Sequence, residues 1–251
     1  MKIIINADDL GYNEEINRGI YESYTKGIVS STTIMTNMPG FDNAVKLFKN
    51  AKDISIGIHF NLTKGVPIGK NYIDITNKYR EFKSKEEIGS IIDLNEVIDE
   101  LNLQLKKFID SFNYLPSHID SHHHIHTMDK FKQIFFNFAK KNNLPIRINS
   151  EMHKLEASLQ NIKTPDVLIT DFFNNPSIEV FKKYINKYKN RESIIEFMVH
   201  PGYVTDDLIK NSTYSYMREK ELEALIEVTQ TDFYKSIKNN IVNYNYFKWI
   251  H

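Results

Sequence analysis

Short runs rich in isoleucine and valine alternate with longer stretches whose apolar residues recur three or four positions apart, and this alternation constrains the fold most. A short β-branched run reads as a buried strand, and a 3.6-residue period reads as an amphipathic helix. Strand, helix and strand in succession are the signature of βα units, whose strands run parallel in a sheet or barrel. Strands are expected near 2–6, 28–36, 54–60, 117–121, 145–149, 166–170 and 194–199, with a further one near 244–248. Helices are expected near 14–26, 41–51, 93–113, 129–142, 176–190 and 215–238, on spacings such as Ile16, Ile20, Tyr24 and Leu101, Leu105, Phe108, Phe112. No repeat, low-complexity tract or Pro/Gly/Ser-rich linker interrupts the pattern, so the 251 residues are read as one domain, 1–251.

Composition narrows the chemistry. The absence of cysteine excludes disulfides, thiolate metal ligands and a cysteine nucleophile. Lys+Arg 32 balance Asp+Glu 32, without the basic excess that phosphate-backbone binding uses, so nucleic acid is not expected as a partner. The apolar run Ile3-Ile4-Ile5 is too short for a secretion signal, and no run of about 18 apolar residues offers a membrane span. A cytoplasmic protein is expected, with a homodimer as its assembly. The irregular stretch 64–92, with Gly65, Pro67 and Gly69, is expected to be a functional loop covering the site.

Polar residues gather where the expected strands end. The first strand ends in Asn6-Ala7-Asp8-Asp9-Leu10-Gly11, two adjacent carboxylates at the exit from the sheet. A turn and helix cap would use the same residues; metal-assisted hydrolysis would direct one carboxylate to a cation and the other to water. In Ser55-Ile56-Gly57-Ile58-His59-Phe60-Asn61-Leu62, strict alternation puts Ser55, Gly57, His59 and Asn61 on one face, which would be the interior of a barrel. Five of the nine histidines fall within 118–126, and period two places His118, Asp120 and His122 together. Glu196 and His200 lie four apart before Pro201-Gly202, which puts His200 at the same end as the other polar groups and suits it to acid or base chemistry.

The segments NADDLG (6–11), GIVSSTTIMTN (27–37), GIHFNLTKGVP (57–67), HIDSHHHIH (118–126) and MVHPGY (198–203), in this order, resemble the YdjC-like carbohydrate deacetylases, which include the chitooligosaccharide deacetylases. The resemblance implies an α/β fold, an irregular (β/α) barrel, and hydrolysis of the N-acetyl group of an N-acetylated sugar or chitooligosaccharide. It implies one divalent metal held by Asp9, His59 and His122, with Asp8 as catalytic base, His200 as general acid and Arg147 orienting the base. Two imidazoles and a carboxylate suit Zn2+, whereas the family is described with Mg2+, and both are carried as expectations. A phosphoesterase with two or three metals, using the remaining histidines, and a catalytically silent sugar-binding regulator are the alternatives. Tyr72, Tyr79, Phe82 and Tyr203 suit stacking on sugar rings and packing equally.

Overall fold

Alternation along the strands decides which residues meet the helices and which fill the interior. The computed structural model describes residues 1–212 and 214–249. Its elements are β1 (Lys2–Leu10), α1 (Glu14–Thr25), β2 (Ser31–Ile34), α2 (Phe41–Phe48), β3 (Ser55–Phe60), α3 (Leu94–Phe112), β4 (Ile119–Ser121), α4 (Lys132–Asn142), α5 (Glu151–Leu159), β5 (Val167–Ile169), α6 (Ile178–Tyr188), β6 (Ile194–Val199), α7 (Asp206–Asn211), α8 (Met217–Glu227) and α9 (Asp232–Ile237). The strands are parallel in the order β4-β3-β2-β1-β6-β5, a curled, open barrel of the expected α/β class.

Outward residues pack against helices. Phe60 of β3 meets Phe135 and Phe138 of α4 with ring centroids 5.7 and 5.8 Å apart, and Phe197 of β6 meets Phe181 of α6 at 4.8 Å. Inward residues form layers. At the N-terminal end, Ile4, Ile194, Tyr244 and Phe247 close the barrel with an apolar plug. Above it lie buried polar residues from successive strands, Asn6, Thr33, His59, Asp120 and Glu196 among them. The C-terminal strand ends form the mouth, where barrels of this kind place their chemistry.

The turn out of β1 is set by two local features. Gly11 has φ 89, and a Cβ there would lie 2.7 Å from the Met35 carbonyl oxygen, so only glycine fits. Asn13 then caps α1, its side chain accepting from the Ile16 N–H at 2.8 Å, with Glu14 and Glu15 in the first turn where the helix dipole favours acid.

Three expected elements differ. The segment near 145–149 is not a strand: it joins β4 only through Ile119 N–H to Pro145 O and Arg147 N–H to Ile119 O, because proline has no N–H and Ile146 donates to Lys163 O instead. The aromatic run at 244–248 forms a 3-10 turn, Tyr244–Lys248, capped by Asn243; the i, i+3 spacing turns Tyr244 and Phe247 together into the plug. The helix expected over 215–238 divides into α8, a 3-10 turn and α9, the last capped by the Thr231 side chain. Helices α5 and α7 have no counterpart among the expected elements. Among the described residues no helix is long and apolar enough to cross a membrane.

Candidate active site

In a regular strand two adjacent aspartates face opposite sides of the sheet. Here Asp9 adopts the left-handed conformation (φ 68), and the pairing of β1 with β2 slips between Ala7 and Leu10. Such a bulge re-aims side chains. Both carboxylates consequently reach the mouth, and both are buried.

Asp9 is shared among three partners. Its Oδ2 accepts from Arg218 Nη2 at 2.6 Å, while Oδ1 lies 3.1 Å from His122 Nδ1 and 3.5 Å from His59 Nε2. One donor atom from each of Asp9, His59 and His122 falls within a 4.8 Å cluster. His59 Nδ1 stands 2.7 Å from Asp120 Oδ1, so its proton is committed to that carboxylate and Nε2 faces Asp9. Burial works against a charge on His59, but Asp120 outweighs it and pushes the imidazole up to about 10. The second proton of that imidazolium sits on Nε2, where a cation would displace it. The donor set and the carboxylate behind His59 therefore fit a divalent ion.

Asp8 is held differently. Arg147 reaches it with both Nη atoms at 2.6 Å, one to each oxygen. Burial would raise the Asp8 carboxyl; the Arg147 charge and hydrogen bonds overcome this and keep it well below the usual carboxylate range. Arg147 is fully buried and also binds Asp120 Oδ2 at 2.8 Å and Glu196 Oε1 at 2.7 Å, while Tyr244 donates to Glu196 Oε2 at 2.6 Å. A second cluster with metal-ligand spacing, Asp8, His59 and Asp120, is thus already neutralised by a guanidinium. His118 lies deeper, stacked on Tyr244 at 3.4 Å against Gly57, where a Cβ would strike its ring at 2.4 Å.

His200 follows β6, with Nε2 3.9 Å from Asp8 Oδ2. The Phe173 and Tyr214 rings meet it edge-on at 5.3 and 5.5 Å. Burial holds its imidazole down to about 4 against the pull of Asp8 and Asp9, so His200 is neutral at rest. Its backbone N–H donates to Glu221 Oε2 at 2.5 Å, and Tyr214 hydrogen-bonds Glu221 through its hydroxyl.

The six site residues expected from the sequence, Asp8, Asp9, His59, His122, Arg147 and His200, converge on one end of the barrel. Asp9, His59 and His122 border a cavity of about 610 Å³. Its aromatic walls are Tyr12, Phe173 and Tyr214. Of the two roles open to the other aromatics, packing is the one observed: Phe82 is buried, Tyr72 donates to Asp99, Tyr203 is covered by Arg18 at 4.1 Å, and Tyr79 stands beside Lys78. The 64–92 loop brings Lys64 and Lys85 to the rim.

Sequence reasoning missed Arg218, Glu221, Phe173 and Tyr214. A signal existed for the first two. Arg218 and Glu221 are the buried charges on a face of α8 that also buries Leu222 and Leu225, and charges on a core face are held there by partners.

Residues 2–236 match the family described as YdjC-like protein. A carbohydrate deacetylase of Clostridium beijerinckii is 34% identical over 97% of this chain and 99% of its own length. A chitooligosaccharide deacetylase of Proteus mirabilis is 34% identical over 90% of each. Among solved structures, an Enterococcus faecalis V583 protein described as a candidate for cellobiose-phosphate cleavage superposes with TM-score 0.88 at 29% identity, covering 98% of both chains. A peptidoglycan N-acetylglucosamine deacetylase shares the fold, with TM-score 0.51 at 13% identity over 97% of this chain and 86% of that one. This chain belongs to the YdjC-like family.

Proposed function

We propose that this protein is a metal-dependent carbohydrate deacetylase, in one domain spanning the chain, that hydrolyses the N-acetyl group of an N-acetylated sugar or chitooligosaccharide and releases acetate. One observation carries the reading: Asp9 in a three-ligand cluster beside Asp8 clamped by Arg147, two neighbouring carboxylates of one strand in two different environments. The names of the relatives support the same activity.

Asp9, His59 and His122 would hold one divalent ion, for which the donor set favours Zn2+ over Mg2+. Bound there, the ion supplies Lewis acidity, activating water and polarising the acetamide carbonyl. Asp8 accepts the proton of the attacking water. Clamped by Arg147 it is a weak base, but it is ionised and fixed in direction, and Arg147 keeps both properties. His200, neutral at rest and 3.9 Å from Asp8 Oδ2, takes that proton and delivers it to the sugar nitrogen as the C–N bond breaks. Acetate and an amino sugar leave. The inner Asp8/His59/Asp120 cluster, filled by Arg147, argues against a phosphoesterase of several metals. The cytoplasm is the proposed compartment and a homodimer the proposed assembly, to be read by cell fractionation and light scattering.

Acetate release over a panel of N-acetylated mono- and oligosaccharides, before and after chelation, tests the proposal. Turnover should require Zn2+ or Mg2+ and should return when the ion is added back. Metal binding with no acetate from any sugar would contradict it.

A further inference from the structure

Arg218 lies on α8, beyond the last motif-bearing stretch of the sequence, and it is 2% exposed. Its Nη2 is 2.6 Å from Asp9 Oδ2, and its Nε donates to the Tyr214 carbonyl at 2.9 Å, which fixes the plane of the guanidinium. Asp9 has particular need of such a partner. Its left-handed backbone takes it out of the regular ladder, so the strand alone does not set the direction of its carboxylate. With Oδ2 occupied by a cationic donor, Oδ1 is the oxygen directed at His59 and His122. A carboxylate that bridges two metal ions with one oxygen on each needs both oxygens, and Arg218 takes the second. Arg147 does the same for the inner cluster through Asp8 and Asp120.

We propose that Arg218 is a positioning residue for Asp9: it holds Oδ2, leaves Oδ1 to the cation, and limits the centre to a single ion. The proposal rests on the reading of Asp9, His59 and His122 as ligands. Partners standing behind metal ligands typically contribute roughly 10- to 100-fold in metal affinity.

The test is calorimetric titration of the chelated full-length chain with Zn2+, for wild type, Arg218→Gln, Arg218→Lys, Asp9→Asn, His59→Ala, and each Arg218 variant combined with Asp9→Asn. Wild type should bind one ion. Arg218→Gln should bind roughly 10- to 100-fold more weakly, Arg218→Lys should lose less because it keeps a cationic donor, and neither should cause further loss once Asp9 is Asn. The cycle separates positioning from damage to α8, because general damage would weaken binding equally in the Asp9→Asn background. If Arg218→Gln does not fold, the Arg218→Lys cycle carries the same test. Wild-type affinity in Arg218→Gln, an equal loss with and without Asp9, or two ions per wild-type chain would overturn the role of Arg218. Undiminished affinity in both Asp9→Asn and His59→Ala would instead overturn the ligand assignment itself.

Discussion

His59 has two ring nitrogens, and each faces a different carboxylate, Asp120 at 2.7 Å and Asp9 at 3.5 Å. The first contact decides which nitrogen is left for the ion and keeps the ring from turning. Asp120→Asn should therefore weaken metal binding roughly 10- to 100-fold although Asp120 is not itself a proposed ligand. Metal content after dialysis would read this, and an unchanged content would remove Asp120 from the account. The inward position of Asp120 was legible from the alternation His118, Asp120, His122; its partners were not, because Thr33, His59 and Arg147 come from distant parts of the chain. The separate environments of Asp8 and Asp9 were hidden for another reason. They depend on one backbone angle, the φ of 68 at Asp9, which no side-chain pattern encodes.

At the scale of elements, the central strands were legible because one face of each must be apolar and the other must face a polar interior. Ile56, Ile58 and Phe60 against Ser55, Gly57 and His59 state this directly. Helix α5 was hidden because its apolar residues point the wrong way: Met152, Leu155 and Leu159 are 63%, 53% and 76% exposed, while His153 and Ala157 are buried. The end of the barrel was misread because a run of aromatics suits a strand and a plug equally well. The loop at 64–92 is tied down more than its composition suggests. Glu96 of α3 accepts from the N–H groups of Ile73, Asp74 and Ile75, and Glu100 accepts from those of Ile68 and Gly69. These ties fix residues 68–75 on α3, while Lys64 and Lys85 lie beside the cavity.

For the molecule as a whole, burial holds six imidazoles in their neutral form. Burial holds His123 to about 3 and His124, His153 and His200 to about 4, and it keeps His118 and His126 well below the usual histidine range. An unfolded chain protonates these groups near 6.5, so their contribution to stability is complete above that pH and is lost as pH falls toward 4. Glu100, Glu196 and Glu221, raised by burial, and His59, raised by Asp120, act in the opposite direction, Glu221 reaching about 8 and His59 about 10. The six neutral imidazoles outnumber them. The chelated protein should lose stability between pH 6.5 and 5, by about 1.4 kcal/mol per pH unit for each net proton taken up on unfolding. A urea midpoint that is constant or rises over this range would contradict the balance. The claim on which the whole account depends is the division of labour between two adjacent aspartates, and metal content with acetate release for Asp8→Asn beside Asp9→Asn tests it most directly. Asp8→Asn should keep the ion and lose roughly 10² to 10⁴ in rate, the usual contribution of a general base, whereas Asp9→Asn should bind the ion more weakly and recover part of its activity in excess metal. An Asp8→Asn protein that loses the ion, beside an Asp9→Asn protein that keeps it, would contradict the account.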